Sequence, residues 1–563
     1  MPAENKIYSH LIPEIKDWPI YKFSSNREAF IAELTEYVLS KMANSSSSSV
    51  HDILRKSIYQ EQKRVKIRPW KVDPSDEKEY WSSLGDELES AGKAENSELE
   101  ELKLLKRIIN RYSEEILGHF IPKTHNFARV FLTAFFKRLY NNGWGRGHRG
   151  IWGNKKHLLS KIKIKGHIEE LRAMFNLGTV VMVPTHYSNL DSIQIAYAID
   201  TKAGLPAFSY GAGLNLYDVE VLAYYMNRLG AYRVDRRKKN PIYLETLKAM
   251  ASLSLMHGLN HIFFPGGTRS RSGAIEDKLK LGLLNSVIDA QRNSFLDNKE
   301  QRIFIVPLSI GYHFVLEAES LINQHLSIVG KEKYSRQKKK KSKIGKSISF
   351  LRSLRKYDSD IYLSFGKPMD IMGNLVDIKG NSYDTRGNLV DVKSYFSKDD
   401  VLNVDSQRES VYTKVLAERI VESFKRNNVI LSSHLVAYAM FTLLEEDNAE
   451  KTLFELIKVP PKSITISLDR MVTQVENILA NLKALENKVT LSEEFDNVST
   501  LDLILVGVGK VGVYHQKKVI KLKSKDTLGT EDLKLLYYYH NKVIHYNLPV
   551  NKKITEMDKS IGR

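Results

Sequence analysis

Two short segments carry the residues with chemical capacity. In the run V-V-M-V-P-T-H-Y-S-N-L-D-S (180–192), His186 and Asp191 stand five positions apart, where an apolar stretch gives way to a polar turn. An imidazole and a carboxylate so placed can share one proton-transfer task. The ring takes a proton near neutral pH, and the carboxylate holds its other nitrogen and offsets the charge that forms. Downstream, F-F-P-G-G-T-R-S-R-S-G (263–273) sets Arg269 and Arg271 behind Gly266, Gly267 and Thr268. Glycines let backbone amides approach an anion, and guanidinium forks match phosphate oxygens. Together the segments read as a base that activates a hydroxyl beside a socket for phosphate.

The elements that must position them follow from local rules. Residues 180–183 form a β-branched, apolar strand that Pro184 is expected to close. Ser188, Asn189 and Asp191 then precede the apolar run 193–199, which marks a helix start. His186 therefore belongs to the turn at the carboxyl end of a strand, where open α/β sheets gather their ligands. The same Ser188-x-x-Asp191 spacing is also a capping box, in which Asp191 would only satisfy backbone amides, and the segment alone supports either role. Three further segments repeat the pattern of strand and polar turn. Residues 230–236 put Arg236 beyond a short strand, with Arg237, Lys238 and Lys239 following; 261–264 lead into the glycine-arginine turn; 303–310 contain Pro307 and run into Gly311 and Tyr312. A solvated basic turn explains any one of these, but not four in one order.

These four blocks, 186–191, 230–236, 264–270 and 305–312, resemble those of the glycerolipid acyltransferases: His-x4-Asp, a G-x5-R strand end, F-P-E-G-T-R-S and a V-P strand. The second arginine, Arg271, is similar to the branch acting on glycerol 3-phosphate and dihydroxyacetone phosphate. So are 361–371, 416–440 and 536–549, and the resemblance runs from about residue 120 onward. The expected fold is α/β: strands alternating with helices put a helix-flanked mixed β-sheet core at 121–400, with a hairpin insertion about 373–396, and the patterns on either side give a helical region at 1–120 and a mostly helical one at 401–563.

The resemblance also implies a reaction: transfer of a fatty acyl group from a thioester to the sn-1 hydroxyl of glycerol 3-phosphate, giving lysophosphatidate, the first step of phospholipid synthesis. His186 would be the base and Asp191 its partner. Arg236, Arg269, Arg271 and Lys280 would hold the phosphate, the backbone of Gly266, Gly267, Thr268 and Ser270 would line the pocket, and Pro307 would border the acyl chain or end a strand. The chain has no cysteine and no G-x-S-x-G, so direct attack by the acceptor is expected rather than an acyl-enzyme. Neither metal nor cofactor is called for; the co-substrate is a thioester of coenzyme A or acyl carrier protein. One departure stands out: Gly266 replaces the glutamate of the third block, which would alter acceptor recognition, be compensated from elsewhere, or mark a degenerate enzyme. Lysophosphatidate or dihydroxyacetone phosphate as acceptor, or a non-catalytic membrane-surface protein, are the alternatives.

Composition bounds the partners. The 563 residues suffice for two to four domains, and 85 Lys and Arg against 66 Asp and Glu leave +19, which favours an anionic partner. Nucleic-acid binding has no recognition motif to support it. No run approaches the ~18 apolar residues of a membrane span, so a peripheral or monotopic association with an anionic, cytoplasmic membrane face is expected. The stretch F-A-R-V-F-L-T-A-F-F-K-R-L-Y (127–140) with Trp144 suits an interfacial helix or a core one, and Lys338, Lys339, Lys340, Lys341 and Lys343 form a basic run. The near-duplicates beginning at Gly373 and Gly387 read as paired turns, and Gly507-x-Gly509-x-x-Gly512 lacks the context of a dinucleotide site.

Overall fold

The computed structural model describes residues 6–44, 49–70, 72–140, 155–213, 220–330, 359–399, 401–485 and 488–549. Residues 45–48 of the serine tract, Trp144 and the lysines at 338–341 and 343 lie outside that set. At the centre is a seven-stranded sheet of β1 (Ile162–Gly166), β2 (Gly178–Pro184), β3 (Ser209–Gly213), β4 (Ala231–Val234), β5 (His261–Ile262), β6 (Arg302–Tyr312) and β7 (Ile361–Phe365). Their spatial order is β1-β7-β6-β2-β5-β3-β4. Neighbours run parallel except β6 and β7, which are antiparallel, so the sheet is mixed and the fold α/β.

Alternation along the two central strands divides the core in two. Val180, Met182, Phe304 and Val306 face one hydrophobic cluster, which includes Leu171 and Met174 of the helix Ile168–Leu177. Val181, Val183, Ile303 and Ile305 face the other, with the helices Leu281–Leu296 and Ser406–Arg426. Both faces are covered, and the strands accordingly read as continuous apolar runs. The strand expected to close at Pro184 includes it: Pro184 pairs with Leu308, and Thr185 extends the ladder by donating its N–H to Leu308 O (2.9 Å) while its Oγ1 accepts from Ile310 N (3.1 Å). Pro307 is mid-strand rather than at a strand end, opposite Val183, with its carbonyl taken by Gly366 N–H.

The N-terminal region has a hydrophobic cluster of its own, whereas the C-terminal region joins the core on one sheet face. The helices Arg27–Ala43, Val50–Ile67, Glu77–Ala91 and Ser97–Ile116 pack with Ile242, Tyr243 and Met250 of the helix Pro241–Met256. The helices Ser432–Asp447, Leu468–Ala484 and Leu533–His540 join the cluster on the first sheet face. Gly507 lies in the helix Thr500–Lys510, where a Cβ would fall 2.6 Å from Ser432 O; the glycine serves a close helix crossing.

The insertion is more regular than one hairpin. Three two-residue strands, Leu375–Val376, Ser382–Tyr383 and Leu389–Val390, form an antiparallel meander. Asp370, Asp377 and Asp384 each accept from the backbone amides two and four residues on and from the Asn side chain four residues on. Gly373, Gly380 and Gly387 follow at φ near +85° (84°, 88° and 83°), giving a seven-residue period. Its middle copy lacks the Leu-Val pair, which hid it in the sequence.

Candidate active site

β2 and β5 are adjacent and parallel, so the turns leaving them meet on one rim of the sheet. They are tied directly: Ser270 N–H donates to His186 O at 2.7 Å, and the His186 ring stacks on Phe264 with centroids 4.1 Å apart. His186 is one-fifth exposed, and its Nδ1 lies 2.7 Å from Asp191 Oδ2. With the proton on Nδ1 donated to the carboxylate, Nε2 keeps its lone pair, as a base requires.

Asp191 performs both roles that its spacing allows. Its fully buried carboxylate accepts from the amides of Tyr187 (2.7 Å) and Ser188 (2.9 Å) through the same Oδ2 that holds His186. The other oxygen, Oδ1, accepts from the Tyr312 hydroxyl at 2.5 Å, and Tyr312 also touches Gln194, which in turn reaches Tyr140. Burial beside Asp191 pushes the Tyr312 phenol well above its ordinary range, so it remains a donor. Four hydrogen bonds match this buried charge, which water would otherwise have to solvate.

The glycine-arginine turn forms the other wall. Gly267 adopts φ +74°, a left-handed conformation, and a Cβ there would meet Lys280 Cγ at 3.0 Å, which places the Lys280 stem against the turn. Lys280 N–H closes the loop onto Pro265 O at 2.7 Å, and Ser270 Oγ donates to Ala274 O. Thr268 and Arg271 are exposed, and Arg269 is half-buried with Nη1 3.4 Å from Glu317 Oε1. Glu317 also accepts from Ser188 Oγ (2.9 Å) and Asn189 N (3.0 Å), so one carboxylate braces the histidine loop against the arginine.

Arg236 is placed differently. It is exposed beyond β4, the edge strand, three strand intervals or about 14 Å across the sheet from β2. Its neighbours are not free for phosphate: Arg237 pairs with Asp73 (2.5 Å) and Asp235 (2.7 Å), and buried Lys238 with Glu115 (2.5 Å). Acids from the N-terminal bundle thus take up half of the basic cluster 236–239.

Three functional candidates, Glu276, Glu317 and Lys542, carry no signal in the sequence, and Tyr312 stands there only as the end of the fourth block. Lys542 is 3% exposed and sets its ammonium 2.9 Å from the centroid of the Tyr187 ring. Burial lowers its pKa well below the usual lysine range, with Asp191 and Glu276 opposing the shift. Beside it, Asn541 Nδ2 donates to Ser272 O at 3.0 Å, so the segment after Leu533–His540 underpins the turn. Only their positions on this rim single these residues out. The segment 536–549 resembles the family only as a whole, and nothing in it marks out one lysine.

An imidazole-carboxylate pair thus stands beside a glycine-arginine turn on the carboxyl rim of a mixed α/β sheet. Residues 163–311, from β1 through nearly all of β6, match the family described as Acyltransferase. Within that class the chain is similar to proteins named glycerol-3-phosphate acyltransferase. It is 26% identical over 266 residues to the one from Pseudomonas putida (strain W619), covering 47% of this chain and 28% of that relative. It is 25% identical over 285 residues to that of Pseudomonas putida (strain GB-1), covering 50% and 30%, and 25% identical over 265 residues to that of Pseudomonas entomophila (strain L48), covering 47% and 28%. The chain thus spans less than a third of the length of these relatives.

Proposed function

We propose that this protein transfers an acyl group from a coenzyme A or acyl-carrier-protein thioester to the sn-1 hydroxyl of glycerol 3-phosphate. The observation that carries this reading is the His186–Asp191 pair at 2.7 Å on the rim it shares with the 265–271 turn. Arg269, Arg271 and Lys280 bind the phosphate and bring the far hydroxyl to His186 Nε2. That nitrogen takes the hydroxyl proton as the oxygen attacks the thioester carbonyl. The tetrahedral intermediate collapses with loss of the thiolate, which recovers the proton from the imidazolium. Ester and free thiol are the products, and no side chain carries the acyl group. Arg236, farther along the rim, meets the anionic part of the thioester or of the membrane.

An anionic bilayer is the proposed partner. In the helix Pro122–Tyr140, Phe127 (56% exposed), Val130 (71%) and Phe131 (59%) form an apolar face at helical spacing. Among the described residues no helix is long and apolar enough to cross a membrane, which is compatible with a peripheral seat.

The test is thiol release from palmitoyl-coenzyme A, and from palmitoyl-acyl carrier protein, with glycerol 3-phosphate, dihydroxyacetone phosphate, lysophosphatidate or no acceptor. Release that requires glycerol 3-phosphate and falls by ~10²- to 10⁴-fold in His186→Ala is expected. Release requiring lysophosphatidate instead would reassign the acceptor, and silence with every pairing would overturn the reading.

A further inference from the structure

Gly266 is a glycine for reasons of space, not of backbone conformation. Gly267 has positive φ and Gly266 does not. What a side chain at 266 would meet is a carboxyl: its Cβ would lie 2.3 Å from Glu276 Oε1 and 2.6 Å from Glu276 Cδ. Glu276, ten residues along the chain, therefore occupies the volume that residue 266 leaves vacant. Its Oε1 is buried and has no hydrogen-bond partner among the described residues. An oxygen so placed is costly to leave unpaired, and at the wall of a candidate site a ligand is one group that would supply the missing bond.

The surroundings indicate which ligand. The vacated volume belongs to the turn that is tied to His186 O through Ser270 and lies against the Lys280 stem. An acceptor whose phosphate rests on this turn and whose terminal hydroxyl reaches His186 carries its middle carbon past position 266. Resting on the function proposed above, we propose that Glu276 is a specificity-determining residue, which hydrogen-bonds the oxygen on the middle carbon of a three-carbon polyol phosphate.

The protonation of the group fits this role. Burial, with the charge of Asp191 adding and Lys542 opposing, pushes the Glu276 carboxyl up to about 8, so at neutral pH it carries a proton to donate. Such a donor serves a hydroxyl or a carbonyl oxygen and is left unpaired by a middle methylene. Glutamine, which also donates, preserves the contact; alanine does not.

The experiment compares glycerol 3-phosphate with propane-1,3-diol phosphate, which lacks the middle oxygen, in wild type, Glu276→Gln, Glu276→Ala and Gly266→Glu with and without Glu276→Gly. Wild type should prefer glycerol 3-phosphate by about tenfold or more in kcat/KM. Glu276→Ala should erase that preference by losing activity on glycerol 3-phosphate alone, and Glu276→Gln should keep most of it. Gly266→Glu should lose activity and recover it with Glu276→Gly, because the second change clears the volume. Equal losses on both acceptors in Glu276→Ala would make the residue structural, and an unchanged preference would remove it from the site; either overturns the inference while active wild type leaves the proposed function standing. Wild type inactive with every donor and acceptor would overturn both.

Discussion

At the residue scale, the candidate site is organised by where its carboxyl groups find partners. Asp191 has four donors and needs none from a ligand, whereas Glu276 has an orphaned oxygen and a raised pKa. That difference makes Glu276 a pH reporter. Its folded pKa of about 8 lies above the ordinary 4.5, so the folded protein holds a proton that the unfolded chain has released. The stability from this group is full below about pH 4.5 and is lost as pH rises through about 8. The thermal midpoint of wild type relative to Glu276→Gln should therefore fall between pH 5 and 8 and level off above it; a constant difference would show that the carboxyl ionises normally. His186→Ala should behave oppositely, losing acyl transfer by ~10²-fold or more while its midpoint moves little, since the ring is partly exposed and its loop is held by backbone bonds. The His186–Asp191 pair was legible because five residues of turn fix it locally. Tyr312 was not, because its contact with Asp191 joins positions 121 apart.

At the scale of elements, the site exists because β2 and β5 are neighbours and the helix Ala318–Val329 starts between their turns. The order of apolar runs and polar turns made the strands and the shared rim legible, since buried parallel strands leave continuous hydrophobic stretches. Lateral order was not legible, and it decides that the 265–271 turn touches His186 while Arg236 stands at the edge. Glu317, immediately before that helix, is the brace: Ser188, Asn189 and Arg269 all converge on it. Glu317→Ala should free Arg269 and slacken the histidine loop together. We expect inorganic phosphate to inhibit more strongly, and kcat to fall by roughly tenfold, as positioning losses do. Steady-state kinetics with phosphate as competitor reads both, and unchanged inhibition with unchanged kcat would mean that Glu317 holds neither.

At the scale of the whole molecule, chain regions far apart in sequence converge on one rim. The N-terminal bundle anchors the loop beyond β4 through Asp73 and Glu115, and the C-terminal segment brings Asn541 and Lys542 beneath the histidine loop and its neighbouring turn. Composition showed the excess of positive charge but not its distribution, because pairing with local acids removes Arg237 and Lys238 from the surface inventory. What remains outward, beside the apolar face of Phe127, Val130 and Phe131, sets the last expectation. On the proposed function, those three side chains would supply apolar area for a bilayer, and the +19 charge would supply attraction to anionic lipid. The two contributions separate experimentally, since salt screens the second and leaves the first. In vesicle flotation, phosphatidylglycerol should bind the protein and phosphatidylcholine should bind it weakly. Raising salt should weaken binding without abolishing it, and a Phe127→Ser, Val130→Ser, Phe131→Ser variant should lose the salt-resistant part. Equal flotation of that variant at high salt would assign the apolar face to another partner and place the membrane contact elsewhere on the molecule.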